Sequence, residues 1–405
     1  MPPPTITPKH KAPLAFVLLL TGLVMVGQMS TSMYLPSLPA LTQDFRADPA
    51  DAKLTMTVFL AAYAVAQLFF GSLSDRIGRR PALFLGLTLY LLGTAFCALA
   101  PSIGALTIGR FIQGFGACSG PAIARAIIRD RYERHEAARI LAHIGMAMAV
   151  GPALGPIIGG QLQVMFGWRA NFLALVAFGL VIVIAASIGL AETLREGDPD
   201  AMSPARLARN YGTLLRSRLY LGYMLVVGFN FGGLFAYATG LPFVLIDMLG
   251  MSPAVFGTVF IFTVIGSVGG SVIASRAASS VSTEHMTAIG ASVSFIGGAL
   301  MLAFSLADII MPITIVGTMM IWMIGFGIVL PNAFAGAMAP FPMMAGAASA
   351  MMGFAQMGTA ALGSVAVAML AERGGAIAMP TLICVMGAIS AAAYVVFIRM
   401  RPTAA

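Results

Sequence analysis

The sequence predicts an all-helical polytopic membrane protein, with twelve transmembrane helices in two six-helix halves. Three observations predict it. The 405 residues are 59% hydrophobic and only 9% charged, with a mean hydropathy of +0.93; soluble domains carry about 25% charged residues. Apolar runs of about 20 residues, the length that crosses a bilayer, recur along the whole chain. Basic residues collect in alternate connections between the runs, as the positive-inside rule requires.

The runs, spans 1 to 12, fall at 14–35, 53–73, 82–100, 102–128, 138–164, 168–190, 218–246, 253–275, 285–306, 311–338, 343–371 and 376–398. Several exceed the bilayer requirement, which implies tilt or extension past its surface. The stretch 1–13 carries Lys9, His10 and Lys11. The run after it ends in Tyr34, Leu35 and Pro36 rather than a small-residue cleavage site, so the first span is retained. With the N-terminus inside, the cytoplasmic cations are Lys9, Lys11, Arg76, Arg79, Arg80, Arg125, Arg129, Arg131, Arg134, Arg139, Arg195, Arg206, Arg209, Arg216, Arg218, Arg276, Arg399 and Arg401. That is 18 of the 23. Arg46, Lys53, Arg169 and Arg373 fall outside and Arg110 within span 4, so both termini are predicted cytoplasmic.

The longest connection, 191–217, divides the chain into an N-terminal six-helix bundle (1–190) and a C-terminal one (218–405). Ser203 before Pro204 marks a helix start in this connection, followed by Arg206 and Arg209, so a short basic surface helix is expected there. Paired halves of this kind place a substrate site between them near the midplane. The net charge of +8 sets topology and faces anionic lipid; it does not predict nucleic-acid binding. Cys97, Cys118 and Cys384 all lie in apolar runs and read as reduced packing residues. Four histidines form no metal-like cluster, and no hydrolase or protease motif is present, so neither an enzyme nor a cofactor or metal is expected.

The hairpin between spans 2 and 3 carries Gly71, Asp75, Arg76, Gly78, Arg79 and Arg80. Charges wedged between two apolar runs are costly unless they pair or lie at the membrane surface, and the glycines let two helix ends approach closely. This run resembles the signature of the major facilitator superfamily (G-x-L-a-D-r-x-G-r-R). The resemblance implies the major facilitator fold, a monomer, and a latch in which Asp75, Arg76, Arg79 and Arg80 hold the halves together on the cytoplasmic side in the outward-facing state. Arg110 in span 4 must find partners inside the membrane. With Gln113 and Gly114 it resembles the second signature of the superfamily, where the arginine sits near the coupling site.

In span 5, Gly151, Gly155 and Gly159 share a helix face that permits close packing, and Pro152 and Pro156 each remove a backbone donor. The run resembles the G-P-x-x-G-P-x-x-G-G signature of drug:proton antiporters. Trp168 and Arg169 after Gly167 match the same branch. A narrower resemblance, to the Bcr/CflA drug-resistance subfamily, rests on Met33 to Pro39, on Tyr223 to Val244 and on Phe341 to Ser349. It implies proton-coupled export of small drugs from the bacterial inner membrane. The subfamily usually carries an aspartate where this chain has Ser32, and no acid remains deep in spans 1 to 6. Asp247 and His143 are the remaining titratable coupling candidates; Asp247 also reads as a surface acid at a helix end. An uncoupled facilitator or importer therefore stays open as the alternative.

The expected cavity lining is Gln28, Ser32, Tyr34, Tyr63, Gln67, Arg110, Gln113, Met146, Asn230, Phe231, Phe235, Tyr237, Asn332, Phe354 and Gln356. The 28 methionines suit an adaptable, polyspecific surface. Few acids argue against lipophilic cations, and Arg110 would tolerate a neutral or anionic molecule, so a neutral, amphenicol-like cargo fits better.

Overall fold

The computed structural model describes residues 13–194 and 196–400, except the side chains at 134, 135, 138, 142, 146–149 and 371–374. Lys9, Lys11, Arg195 and Arg401 of the charge count therefore lie outside the described residues. Within them, twelve helical segments are long and apolar enough to cross a membrane. Spans 1 to 6 are Leu14–Phe45, Pro49–Ile77, Arg79–Ala98, Ile103–Arg131, Arg139–Phe166 and Arg169–Gly189. Spans 7 to 12 are Arg218–Met248, Pro253–Ala277, Thr283–Leu306, Pro312–Met338, Pro342–Leu370 and Gly375–Arg399.

The helix boundaries follow local chemistry. Ser102, Ser217, Ser252 and Ser282 each cap a helix start by accepting a backbone N–H three residues on, which satisfies a donor the helix cannot. Pro49, Pro204, Pro253 and Pro312 open helices, where a missing N–H costs nothing. Gly78 (φ +104°) breaks spans 2 and 3, and Gly167 (φ +79°) breaks spans 5 and 6; backbone of that kind favours glycine. Span 1 runs ten residues past its apolar run. Pro36 and Pro39 break it into Leu14–Ser32, a short turn at Leu35–Ser37, and Leu38–Phe45. Span 4 likewise divides at Cys118.

The short helix expected in the long connection forms at Pro204–Arg216. Leu14, Leu92, Leu99, Ile184, Ile188, Ile313 and Leu362 are all exposed, and with many similar side chains they give the bundle an apolar outer surface suited to lipid. Spans 2 and 11 lie along each other, as do spans 5 and 8, and these two pairs make the main contact between the halves. One end of the bundle carries the 2–3 hairpin, Arg125, Arg129 and Pro204–Arg216; it is called the arginine face. The opposite end, with Lys53 and Pro253, is the far face.

Candidate functional site

The hairpin gathers charge on the arginine face. The Arg79 side chain is 3% exposed and is held between two carboxylates, Asp75 four residues before it across the Gly78 break and Asp130 at the end of span 4 (Nε to Oδ2, 2.8 Å). It also donates to Ser74 Oγ at 2.8 Å. A buried guanidinium needs such partners, because each unpaired N–H would forfeit its hydration. Glu192, after span 6, accepts from the backbone N–H groups of Arg79 (3.0 Å), Arg80 (2.9 Å), Thr193 (2.8 Å) and Leu194 (2.9 Å). Burial pushes its carboxyl up, but the four N–H donors outweigh burial and hold it below the usual carboxylate range. A side chain at Gly78 would lie 2.7 Å from Glu192 Oε2, so glycine there is what admits this anchor. Every one of these pairs joins elements of the N-terminal half or the segment that follows it. Among the described residues, no hydrogen bond or ion pair of Asp75, Arg76, Arg79 or Arg80 reaches the C-terminal half in this conformation.

Arg110 is fully buried and has no carboxylate partner among the described residues. Its Nη1 donates to Ser30 O at 3.0 Å and to Gln113 Oε1 at 2.5 Å. Its guanidinium lies 4.2 Å from the ring centre of Tyr34 and 4.1 Å from that of Phe59. Two aromatic faces at such distances each contribute about 0.5–2 kcal/mol. Gln113 passes the network on to Thr94 Oγ1 at 3.0 Å. The cage ties spans 1, 2, 3 and 4 together.

Gly151, Gly155 and Gly159 all face span 1. A Cβ at 151 would lie 3.3 Å from Gln28 Cβ, one at 155 would lie 2.8 Å from Ser32 Cβ, and one at 159 would lie 2.6 Å from Met33 C. The helix runs unbroken through Pro152 and Pro156. Its other edge meets span 8: a Cβ at Gly160 would lie 2.9 Å from Pro253 C, and one at Gly257 2.7 Å from Pro156 C. Backbones this close seal the far face between the halves. The seal continues where Thr57 of span 2 donates to Ser364 Oγ of span 11 at 2.8 Å, and Thr239 of span 7 to the same oxygen at 3.1 Å. Lys53, 3% exposed, places its ammonium 4.4 Å from the Phe243 ring centre.

The arginine face is open. A cavity of about 690 Å³ lies there, bounded by Gln67, Gly71 and Asp75 of span 2, Arg125 and Arg129 of span 4, the helix Pro204–Arg216, and Met343 to Ala350 at the start of span 11. Both halves contribute to its wall. Its volume matches the range of drug-sized sites. Gln67 closes it towards the membrane centre, with its amide carbon 2.8 Å from where a Cβ at Gly353 would stand.

Of the cavity residues expected from sequence, Gln67 borders this opening. The structure places others elsewhere. Tyr34 and Gln113 belong to the Arg110 cage. Ser32 donates to Gln28 O at 2.8 Å. Tyr63 packs on Gly27. Asn230 joins span 7 to Ser390 of span 12 at 2.8 Å. Phe231 packs at a tilt against Phe326, and Tyr237 edge-on against Phe260. Phe235 is buried, Phe354 and Gln356 are half-buried, and Asn332 donates to Ile328 O. The Met146 side chain lies outside the described residues. His143 is exposed and bonds back to Arg139 O at 2.7 Å, and Asp247 is exposed in the turn Phe243–Met248. The structure brings neither close to Arg110. Sequence reading missed Arg125, Arg129 and Arg209 as cavity residues and Lys53 as a buried cation. Arg125 and Arg129 stand one helical turn apart, a signal visible in the sequence and absorbed there into the topology count.

A twelve-span bundle in two halves, open between them on one face and sealed on the other, defines a transporter rather than an enzyme. The comparisons name the class. Residues 20–364 match the Major Facilitator Superfamily, and the chain belongs to that family. An uncharacterized MFS-type transporter, YdgK, of Bacillus subtilis (strain 168) is 34% identical, over 85% of this chain and 86% of that protein. Multidrug resistance protein D of Escherichia coli (strain K12) is 30% identical over 90% and 91%. A bicyclomycin resistance protein homolog of Haemophilus influenzae is 28% identical over 85% and 86%. The latter two carry drug-resistance names, in keeping with the subfamily that the span 1, 7 and 11 motifs resemble. Among solved structures, the xylose transporter XylE of E. coli superposes with a TM-score of 0.74 at 15% identity, over 96% of this chain and 97% of that one. A bacterial homolog of the lysosomal transporter Spinster gives 0.71 at 17% identity, over 97% and 98%. At those identities they speak for the fold alone.

Proposed function

We propose that this protein exports small neutral drugs or metabolites, of the amphenicol or bicyclomycin kind, by alternating access coupled to proton antiport. The observation that carries the reading is the cavity bounded by both halves on the arginine face, with the far face sealed by backbone-to-backbone contact of spans 5 and 8. That is one end state of a rocking cycle. The concentration of basic residues makes the arginine face cytoplasmic, in a bacterial inner membrane and with both termini inside. The bundles 1–190 and 218–405 rock as units joined by 191–217, and the protein works as a monomer. As the cavity closes, Asp75 approaches the start of span 11, whose positive helix end attracts a carboxylate; the hairpin then latches the outward-facing state. Relatives bearing multidrug and bicyclomycin resistance names support the cargo class.

Antiport draws support from the glycine and proline face of span 5. Ser32, standing where the subfamily carries an acid, favours a second reading, an uncoupled facilitator. Proteoliposomes under an imposed proton gradient separate the two. Substrate-dependent proton leakage, with uptake of an amphenicol or bicyclomycin, is the expected result. Uptake without a pH response would replace antiport by facilitation, and no uptake of either compound would overturn the cargo class.

A further inference from the structure

The cavity on the arginine face carries more positive charge than its ion pairs neutralise. Arg79 is committed to Asp75 and Asp130, and Arg206 is paired with Asp198. Arg125 and Arg129 of span 4 and Arg209 of the connecting helix also border the cavity. All three are exposed to it, and none makes an ion pair among the described residues. The only acid on the wall outside those pairs is Glu196. Three free guanidinium groups against one free carboxylate leave a net positive mouth. Arginines that only set topology lie at the lipid headgroups; these line the space between the halves. Arg129 reaches across it, its Nη1 standing 3.5 Å from where a Cβ at Gly346 of span 11 would be.

We propose that this mouth captures cargo carrying a carboxylate or phosphate group, so that the substrate range extends from neutral molecules to small organic anions. The proposal rests on the exporter reading above. Clefts lined by one sign of charge focus the field and raise the local concentration of the opposite ion. Guanidinium groups match carboxylate and phosphate oxygens by paired hydrogen bonds. Deeper in the bundle, Arg110 is a buried cation with no carboxylate partner among the described residues, which lowers the barrier for an anion and raises it for a cation. Export of an anion also runs down the inside-negative membrane potential. That reduces the demand on a proton carrier in a chain with Ser32 in span 1.

The test uses 2-naphthoate and its neutral counterpart 2-naphthamide, matched in size and shape. Transport of both is measured in everted vesicles and in proteoliposomes with and without phosphatidylglycerol. The proteins are wild type and the triple variant Arg125→Gln, Arg129→Gln, Arg209→Gln. The expected result is a rise of roughly tenfold in KM for the carboxylate, the sum of three modest exposed pairings, with KM for the amide unchanged. Added salt should weaken carboxylate transport in wild type and barely affect the variant. Equal effects on both probes overturn the proposal. So does transport of the amide but not of the carboxylate, which leaves the exporter reading standing. If the variant handles the carboxylate like wild type and loses only its response to phosphatidylglycerol, the arginines hold a lipid headgroup and the proposal falls. Transport of neither probe by well-inserted wild type removes the exporter reading and this proposal with it.

Discussion

Gly257→Ala should unlock the far face. Gly257 of span 8 sits against span 5 so closely that an added Cβ would stand 2.7 Å from Pro156 C and 2.8 Å from Ile157 Cα, and nearer still to the Pro156 carbonyl oxygen. These neighbours are backbone, so no rotamer change relieves the clash. Carbon atoms prefer separations of about 3.5–4.0 Å, so the two helices must part locally by about 1 Å. Overpacking of that size costs about 1–3 kcal/mol. The cost falls only on the conformation in which spans 5 and 8 touch there. The balance should therefore shift towards the far-open conformation by about 5–150-fold. The assay is labelling of Thr57→Cys, in a background without Cys97, Cys118 and Cys384, by an impermeant maleimide added to whole cells. Thr57 is half-buried and lies within the seal. Its labelling should accelerate at least fivefold in the Gly257→Ala variant. Unchanged labelling, in protein of unchanged thermal stability, would refute both the sealed far face and the assumption that one conformation bears the whole penalty.

Three further outcomes are expected. Asp75→Asn should remove one of the two carboxylates on Arg79; because Asp75 is 42% exposed, the stability loss should be only about 0.5–1 kcal/mol, while transport falls severalfold with normal membrane insertion, measured by vesicle uptake and quantitative immunoblotting. Arg110→Ala should leave Ser30 O and Gln113 Oε1 without their donor and a void between Tyr34 and Phe59; a loss of about 3 kcal/mol, read by thermal unfolding in detergent, should accompany loss of resistance, and equal resistance from variant and wild type would break the link between this cage and transport. Glu192 has a folded-state carboxyl below its usual range, so its contribution to stability is present above the unfolded value and disappears as pH falls through the lower folded value. Glu192→Gln should accordingly lower the unfolding temperature at neutral pH and flatten its decline on acidification.

The sequence by itself determined the class of fold and the family. Twelve apolar runs can satisfy their backbones in a bilayer only as helices, and the alternation of basic connections is a one-dimensional property. The hairpin motif also lay wholly in the sequence, because Asp75 and Arg79 are only four residues apart, at the facing ends of spans 2 and 3 across the Gly78 break. The helix start at Pro204 and the breaks at Gly78 and Gly167 were legible for the same reason: capping and φ preferences act over a few residues. The cavity was not. Tyr34, Gln113, Asn230 and Tyr237 are polar residues in apolar spans, and sequence alone cannot tell whether such a group faces a cavity or a partner on the next helix. The tertiary structure gave Tyr34 to Arg110 and Asn230 to Ser390. It also turned Arg125, Arg129 and Arg209 towards the space between the halves. Side-chain direction around a helix axis depends on which neighbours it meets. Those neighbours, such as Gly257 against Pro156, come from distant parts of the chain and meet only when the two halves close on each other.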